Sequence, residues 1–142
     1  MSAAMKQMLG ETLLGKDGEV PTSEALAGKT EVWLYFSAHW CPPCRGYTPQ
    51  LAHQYSLLIE AGKTVEIIFV SSDNDEAAFN EYYAKHPWLA LPFANRAKKD
   101  ELINMFQVRG IPMLVLLDAE GNVYNSNGKN TVMNSVDQYP YK

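Results

Sequence analysis

The chain has 142 residues, of which 46% are hydrophobic and 20% are charged, so it can bury a sizeable core but is too short for two domains of ordinary size. We therefore expect one domain over residues 1–142, and the formal net charge of −4 argues against nucleic acid as a partner. No apolar stretch approaches the roughly 20 residues of a membrane span, and the first residues lack the basic leader and apolar block of a secretory signal, so we expect a cytoplasmic protein that does not bind membranes.

The first third of the chain predicts a short helix, a tight hairpin and a buried strand. Residues 3–10 can form the helix, and two apolar runs on either side of the turn-forming residues 16–18 predict the hairpin. One helical turn is expected over residues 21–26. Residues 30–37 then contain the consecutive apolar and aromatic run "VWLYF", which is typical of a strand covered on both faces.

The middle of the chain predicts two helices around a second buried strand. Apolar residues recur at helical spacing over residues 48–61, and residues 64–72, "TVEIIFVSS", have the composition of a buried strand. Acidic residues open a further helix over residues 75–85. Pro49 lacks a backbone donor, which predicts either a kink in the first of these helices or a new helix start capped by Thr48.

The last third predicts a loop, a helix and an antiparallel hairpin. The string "PWLALPF", residues 87–93, indicates a proline-bounded loop, and residues 98–107 have helical spacing. Residues 112–118 and 121–125 predict two antiparallel strands. The resulting order, βαβα followed by ββ, predicts an α/β fold with a mixed sheet: a parallel pair joined by a right-handed crossover, extended by antiparallel strands and flanked by helices.

The only two cysteines of the chain, Cys41 and Cys44, lie within the string "WCPPC". A disulfide across so short a loop would restrict the unfolded chain little, so structural stabilisation is a weak reason for the pair. A structural zinc ion needs four ligands, and only His39, His53 and His86, from scattered segments, could complete the set. Two thiols separated by two residues, between a buried strand and a helix, are instead typical of a redox couple.

The two intervening prolines define how the thiols should work. Neither Pro42 nor Pro43 has an N–H, so the first free amide donor after Cys41 belongs to Cys44. That amide and the positive end of the helix dipole should favour the ionised thiolate of Cys41. Cys41 is then expected to attack a substrate disulfide, and the less exposed Cys44 to resolve the mixed disulfide. No bound cofactor is required, because the cysteines carry the electrons.

The longer string "FSAHWCPPCRGYTPQL", joined to "PWLALPF" downstream, resembles the thioredoxin superfamily in its tryparedoxin and nucleoredoxin branch, over residues 28–122. The resemblance implies a thioredoxin fold, here with an N-terminal hairpin extension. It implies that Cys41 is the nucleophile, Cys44 the resolving thiol and Trp40 the flanking aromatic residue. It also implies reduction of protein disulfides, for example those of peroxiredoxins, with electrons from a low-molecular-weight dithiol or a reductase.

The same resemblance has one strong structural implication and two departures. It places Ile111-Pro112 where the superfamily has a cis-proline facing the cysteines, and so implies a cis bond, which spacing alone does not. Thioredoxins proper have a buried aspartate where this chain has Tyr35, so the proton of the resolving thiol needs another acceptor. Tryparedoxins usually have Trp-Asp-Glu where residues 72–74 read Ser-Asp-Asn, which is closer to nucleoredoxins. Chain length favours tryparedoxin, and we expect a monomer.

Several residues near the cysteines are candidates for contact with a substrate or partner. Trp40 either covers the edge of the core or contacts the substrate, and its position beside the nucleophile favours contact with the substrate. Arg45 is either a plain surface charge or a group that attracts an acidic donor or substrate. His39 is either solvated or a cation that stabilises the thiolate, whereas His53 and His86 are expected at the surface. The full candidate set besides the cysteines is Trp40, Pro42, Pro43, Arg45, Ile111 and Pro112.

A second interpretation makes the chain a redox-sensitive binding module of the nucleoredoxin type. Its main role would then be to dock a partner protein through the surface of Trp40, Ile111 and Pro112, with little turnover. The intact cysteine pair favours the enzyme. Ser72, in place of the tryptophan of tryparedoxins, favours the binding module.

Overall fold

A computed structural model describes residues 3–142, which are built around one mixed sheet of seven strands. In chain order the strands are β1 (Thr12–Gly15), β2 (Gly18–Pro21), β3 (Glu31–Ser37), β4 (Val65–Ser71), β5 (Leu89–Ala90), β6 (Met113–Asp118) and β7 (Val123–Asn125). Across the sheet their order is β2-β1-β5-β4-β3-β6-β7. The parallel β3–β4 pair and the antiparallel β1–β2 and β6–β7 pairs confirm the mixed sheet and the N-terminal hairpin predicted from the sequence.

Helices cover both faces of this sheet. They are α1 (Ala3–Leu9), α2 (Thr22–Ala25), α3 (Pro42–Glu60), α4 (Glu76–Tyr83), α5 (Arg96–Met105) and α6 (Gly128–Thr131), followed by a 3₁₀ turn at Val136–Gln138. Apolar residues of α3 and α4 join one core cluster, and those of α1 and α5 join the other. The chain therefore forms three layers, with the sheet in the middle.

Strand β3 lies at the centre of the sheet, between β4 and β6, and all seven of its residues are buried. Successive side chains of a strand point to opposite faces, so a fully buried strand needs cover on both sides. Trp33 and Tyr35 pack on the side of α3 and α4, whereas Leu34 and Phe36 pack on the side of α1 and α5. The apolar run in the sequence is thus explained by helices on both faces.

Helix α3 includes the stretch with helical spacing, residues 48–61, except for its last residue, and begins at the first of the two prolines between the cysteines. It starts at Pro42, because a proline in the first helical turn loses no hydrogen bond and has a suitable φ. It continues through Pro49, so the new helix start predicted at Thr48 does not occur. The Thr48 hydroxyl instead donates to the carbonyl oxygen of Cys44 at 3.0 Å, inside the helix. One helix therefore contains both Cys44 and the apolar residues that anchor it to the core.

The proline-bounded loop predicted at residues 87–93 contains the two-residue strand β5. Ala90 of β5 is opposite Phe69 of β4 in a parallel pair and opposite Leu14 of β1 in an antiparallel pair. So short a strand has no periodicity that a sequence could reveal. It joins the N-terminal hairpin to the rest of the sheet.

His86 is buried, with 2% of its surface exposed, so its expected position at the surface is wrong. Its ring lies 4.5 Å, centroid to centroid, from the rings of both Phe69 and Tyr82, and its Nδ1 accepts a hydrogen bond from Trp88 Nε1 at 3.1 Å. Burial, together with a smaller effect of Lys16, lowers the pKa of His86 to about 3. His86 is therefore a neutral core residue. His53, on α3, is exposed as expected.

A buried carboxyl lies at the start of β4, far along the strand from its carboxyl end. Glu66 accepts hydrogen bonds from the Tyr55 hydroxyl at 2.8 Å and from the Ile67 amide at 3.0 Å, and Lys29 Nζ lies 3.9 Å from its other oxygen. Burial nevertheless raises the pKa of Glu66 above its ordinary value of 4.5, because the opposing effects of these three groups are smaller. Ionised Glu66 therefore reduces the stability of the fold.

This raised pKa predicts a pH-dependent stability. The pKa of Glu66 is higher in the folded state than in the unfolded state, so the protonated carboxyl contributes stability to the fold. This contribution is complete below the unfolded pKa and is lost as the pH rises through the folded pKa. We expect Glu66→Gln, which keeps an oxygen acceptor for Tyr55 and Ile67, to gain free energy of unfolding relative to wild type as the pH rises from about 4 to about 8. Urea unfolding across this range measures it, and Glu60→Gln, at an exposed site, controls for net charge. If the free energy of unfolding of the wild type instead rose relative to that of Glu66→Gln with increasing pH, the raised pKa of Glu66 would be contradicted.

Gly128, the first residue of α6, packs directly against β6. A Cβ at this position would lie 2.6 Å from Leu116 Cδ2 and 2.8 Å from the carbonyl oxygen of Leu114, whereas a Cβ at Gly46 in α3 would have no atom within 4 Å. We expect Gly128→Ala to lower the free energy of unfolding by about 1–3 kcal/mol through overpacking. Gly46→Ala should raise it by about 0.5–1 kcal/mol through helix propensity. Denaturant unfolding of both variants tests this, and equal effects would contradict the close packing.

Candidate active site

The two cysteines lie where the central strand β3 ends and α3 begins. Cys41 is the N-cap residue of α3, with extended backbone (φ −96°, ψ 108°), and Cys44 lies one turn into the helix. Both thiols are free. Because β3 is buried and fixed by its two neighbouring strands, it holds the start of α3 at a defined position at the edge of the sheet.

The contact predicted from the two prolines is present. The Cys44 amide donates to Cys41 Sγ at 3.3 Å, and the Cys41 thiol donates to the carbonyl oxygen of Ile111 at 3.8 Å. Cys41 keeps 5% of its surface exposed, whereas Cys44 is fully buried. Cys41 is therefore the sulfur that a second molecule can reach first.

The environment of Cys44 keeps its thiol protonated. Burial raises the pKa of Cys44, and the hydrogen bond with Cys41 adds to the rise. The Ser37 hydroxyl and the Ala38 backbone oppose the rise without cancelling it. Cys44 must therefore lose a proton before it can act as a nucleophile.

The peptide bond between Ile111 and Pro112 is cis, as the resemblance implied. Ile111 packs against both cysteines. Pro112 lines an open groove together with Pro43 of α3 and Lys129 of α6. The segment before β6 therefore forms one wall of the site, opposite the first turn of α3.

The loop that precedes Cys41 is tied to the segment after β4. The His39 amide donates to Asp73 Oδ1 at 2.7 Å, and Trp40 Nε1 donates to the carbonyl oxygen of Ser72 at 3.0 Å. Asp73 is 5% exposed, and its second oxygen accepts from the Ser71 hydroxyl at 2.7 Å. Sequence reasoning missed this role of Asp73, although a Ser-x-Asp string directly after a strand next to the cysteines was available as a signal.

The candidate contact residues do not all lie on one surface. Trp40 is 55% exposed beside Cys41, and Pro42 and Pro43 are exposed in the first turn of α3. Arg45 points elsewhere, into a separate cavity. This second cavity has a volume of about 250 Å³ and is lined by His39, Arg45, Thr48, Pro49, Tyr82 and Lys85.

The second cavity has a basic character. Arg45 and Lys85 are exposed, and neither forms an ion pair within residues 3–142. The His39 ring packs 5.6 Å from the Tyr82 ring at its wall. An anionic group that enters here would meet three basic side chains and no carboxylate among the lining residues.

A chain of buried hydroxyls lies behind Cys44. The Ser37 and Tyr82 hydroxyls are 2.7 Å apart, Tyr82 and Thr48 are 2.6 Å apart, and Thr48 and Tyr35 are 2.7 Å apart. Tyr35 stands where thioredoxins have their buried aspartate, so this strand brings a hydroxyl rather than a carboxylate towards the site. From the sequence, Tyr35 was noted at this site and Thr48 only as a possible helix cap, because the four hydroxyls come from β3, α3 and α4 and meet only in the fold.

Within the described residues 3–142, no group of three or more His, Cys, Asp or Glu side chains is arranged to hold a metal ion. Over the same residues no helix has the length and apolar character needed to cross a membrane.

Comparisons with known proteins agree with this geometry. A family model described as thioredoxin-like matches residues 28–123. Tryparedoxin from Trypanosoma brucei brucei is 44% identical over 139 residues, which cover 96% of this chain and 94% of that protein. Nucleoredoxin from Homo sapiens is 39% identical over 138 residues, which cover 96% of this chain but only 32% of that protein. The chain thus spans about a third of the length of this nucleoredoxin.

Among solved structures, tryparedoxin II complexed with glutathionylspermidine superposes with a TM-score of 0.87 at 35% identity, covering 97% of this chain and 96% of that one. The seven-stranded mixed sheet flanked by helices is therefore a thioredoxin fold. From the matching family model, the sequence identities and the shared fold, we conclude that this chain belongs to the thioredoxin-like family of oxidoreductases, in the branch that contains tryparedoxin and nucleoredoxin.

Proposed function

We propose that the chain is a tryparedoxin-like thiol–disulfide oxidoreductase that reduces disulfides of other proteins. The observation that carries the proposal is the unequal pair of thiols: Cys41 keeps 5% of its surface exposed and accepts a hydrogen bond from the Cys44 amide, whereas Cys44 is fully buried. A structural disulfide needs no such asymmetry. A two-step thiol–disulfide exchange needs it, because one sulfur must be accessible to attack the substrate and the other must react only after the mixed disulfide has formed.

In the first step the Cys41 thiolate attacks one sulfur of the substrate disulfide. The substrate S–S bond breaks, a mixed disulfide with Cys41 forms, and the other substrate sulfur leaves as a thiolate that takes up a proton. The amide of Cys44, at the N-terminus of α3, donates to the attacking sulfur at 3.3 Å. Ile111 and cis-Pro112 would then lie against the bound substrate segment, since they form the wall next to the attacking sulfur.

In the second step Cys44 loses its proton and attacks Cys41 Sγ. The bond between Cys41 and the substrate breaks, the second substrate thiol is released, and the protein is left with a Cys41–Cys44 disulfide. A further dithiol must then reduce this disulfide. No cofactor takes part in either step, because the two electrons move between sulfur atoms.

The relatives support a choice of substrates and electron donors for this proposal. Because the match covers 94% of a tryparedoxin, we propose that the substrates are protein disulfides such as those of peroxiredoxins. We also propose that residues 1–142 act as a single domain. A low-molecular-weight dithiol or a reductase would supply the electrons, and a fold neighbour complexed with glutathionylspermidine supports the first of these. A reducing compartment such as the cytoplasm would return the pair to the dithiol form.

A nucleoredoxin-like binding module is the second candidate. Ser72 replaces the tryptophan of tryparedoxins at the segment that clamps Trp40, and the Trp40 ring is left 55% exposed. A large exposed ring next to the first cysteine in the chain suits a docking surface for a protein partner. In this alternative, turnover would be slow and the redox state of the cysteines would regulate docking.

We expect Cys41→Ser to abolish reduction of insulin disulfides by a dithiol donor, because it removes the attacking sulfur. Cys44→Ser should instead accumulate mixed disulfides, because the attack proceeds without resolution. Turbidity of reduced insulin measures the first result, and mass spectrometry of protein trapped with a disulfide peptide measures the second. Activity of Cys41→Ser would rule out the mechanism. A wild-type protein with no turnover with several dithiol donors would favour the binding module.

The basic cavity predicts a preference for substrates with acidic residues beside the disulfide. We expect Arg45→Glu to lower kcat/KM roughly 10-fold for a peptide disulfide with acidic flanks, and to have little effect on a neutral one. The loss of kcat/KM for the acidic peptide should become smaller as the salt concentration rises, because salt screens exposed charges. Lys63→Glu, beyond the opposite end of α3, makes the same charge change as a control. Equal losses with the two peptides would contradict a role for Arg45 in recognition.

A further inference from the structure

The loop between β3 and the first cysteine is hydrogen-bonded to the segment that follows β4. The Ser72 amide donates to the carbonyl oxygen of Ser37 at 2.9 Å, and the His39 amide donates to Asp73 Oδ1 at 2.7 Å. Trp40 Nε1 donates to the carbonyl oxygen of Ser72 at 3.0 Å. These three hydrogen bonds, which we call the loop tie, hold the loop against the carboxyl end of β4.

Asp73 supplies a buried carboxyl group to the loop tie. It is 5% exposed, and each of its oxygens has a partner inside the protein: Oδ1 accepts from the His39 amide, and Oδ2 accepts from the Ser71 hydroxyl at 2.7 Å. The Asp73 amide in turn donates to Ser71 Oγ at 2.9 Å. Ser71 is the last residue of β4 and is fully buried, so the carboxyl group has a fixed position at the end of the sheet.

Arg96, the first residue of α5, holds Ser71 at a second atom. Its Nη1 donates to the carbonyl oxygen of Ser71 at 2.9 Å, and its Nε donates to the carbonyl oxygen of Phe93 at 2.6 Å. The guanidinium group also lies 4.0 Å from the centre of the Phe93 ring. Ser71 is therefore held at its hydroxyl by Asp73 and at its carbonyl oxygen by Arg96, which connects α5 to the loop tie.

The loop tie acts on the ring that stands beside the nucleophile. The Trp40 side chain is 55% exposed, yet its indole nitrogen is bonded to the backbone of Ser72. A side chain that is ordered before binding has less conformational freedom to lose when a partner arrives. The tie thus orders the surface next to Cys41 in the free protein.

We propose that Asp73 is a positioning residue, supported by Arg96, that holds Trp40 and the loop before Cys41 in the arrangement that binds a protein disulfide. This inference rests on the proposed function and identifies what prepares its substrate-binding surface. Asp73 acts through the His39 amide, and Arg96 acts through Ser71.

Kinetics with a large and a small disulfide test the role of Asp73. Asp73→Ala removes both acceptor oxygens, and we expect it to raise KM for insulin about 10-fold, with dithiothreitol as donor, and to keep kcat within about threefold. The first thiolate release from 5,5′-dithiobis(2-nitrobenzoate), a small reagent that needs little of the Trp40 surface, should slow less than about threefold. Asp73→Asn keeps an oxygen acceptor for the His39 amide and should restore most of the KM.

Asp75→Ala is the matched control. It makes the same change of net charge two positions further along the chain, and it removes the N-cap of α4, where Asp75 Oδ1 accepts from the Ala78 amide at 2.8 Å. It therefore lowers the stability of the protein without touching the loop tie. We expect KM for insulin to stay within about twofold of the wild type in this variant.

Fluorescence measures the loop tie without any turnover. Trp40 is 55% exposed, whereas the other two tryptophans, Trp33 and Trp88, are buried, so acrylamide quenching of the folded protein reports mainly on Trp40. The quenching constant should rise in Asp73→Ala, because the ring is released. It should stay at the wild-type value in Asp73→Asn and in the Asp75→Ala control.

A double-mutant cycle tests the part assigned to Arg96. Arg96→Met keeps an unbranched side chain against Phe93 but has no donor for Ser71. We expect Arg96→Met to raise KM for insulin in the same direction as Asp73→Ala, and the double variant to exceed Asp73→Ala by less than about twofold, because both act through one tie. KM increases that multiply in the double variant would overturn the role of Arg96.

Three results would overturn the role of Asp73: an unchanged KM in Asp73→Ala, an equal rise in Asp75→Ala, or no recovery in Asp73→Asn. If Asp73→Ala does not fold, Ser71→Ala removes the hydroxyl that holds Asp73 Oδ2, and an unchanged KM in that variant would count equally against the proposal. A wild-type protein that does not reduce insulin would overturn the proposed function itself. The quenching comparison would then decide on the loop tie alone.

Discussion

The contact between the Cys44 amide and the Cys41 sulfur is the interaction on which the rest of the site depends. It exists because two prolines remove the competing donors and because α3 starts at the first of them, which leaves a single N–H aimed at the N-cap thiol. A helix that began one turn later would lose both the donor and the dipole. The buried strand β3 and the apolar face of α3 fix this geometry from opposite sides of the loop.

The fold places two chemically identical groups in opposite environments. Cys41 lies at the rim, packed against Ile111 and partly exposed, where another molecule can approach. Cys44 lies one helical turn deeper, among hydroxyls that belong to three different elements. Burial disfavours the charged form of the deeper thiol, whereas the thiol at the rim has the Cys44 amide beside its sulfur. The different burial of the two cysteines, one helical turn apart, therefore determines which of them reacts first.

Local chemistry explains what the sequence predicts well. The apolar run of β3, the missing donors of the prolines and the turn residues of the hairpins each act within a few positions of the chain. What the sequence does not reveal depends on distant partners: the clamp formed by Asp73, the link between Ser37 and Tyr82, and the burial of His86 among aromatic rings. Strand β5 is too short for any periodicity, and its pairing is decided by its neighbours on both sides. Position in the fold, and not residue type, gives these groups their roles.

The sheet ends in strands that are poor templates for further pairing. On one side β2 has four residues and finishes at Pro21, and on the other β7 has three residues with an irregular register against β6. Short outer strands, a proline and a disrupted register all discourage another chain from adding to a sheet. Association by backbone pairing is thereby disfavoured, both for aggregation and for capture of extended peptides at the margins. Recognition is left to the loops that follow the central strands, which is where the sulfur atoms lie.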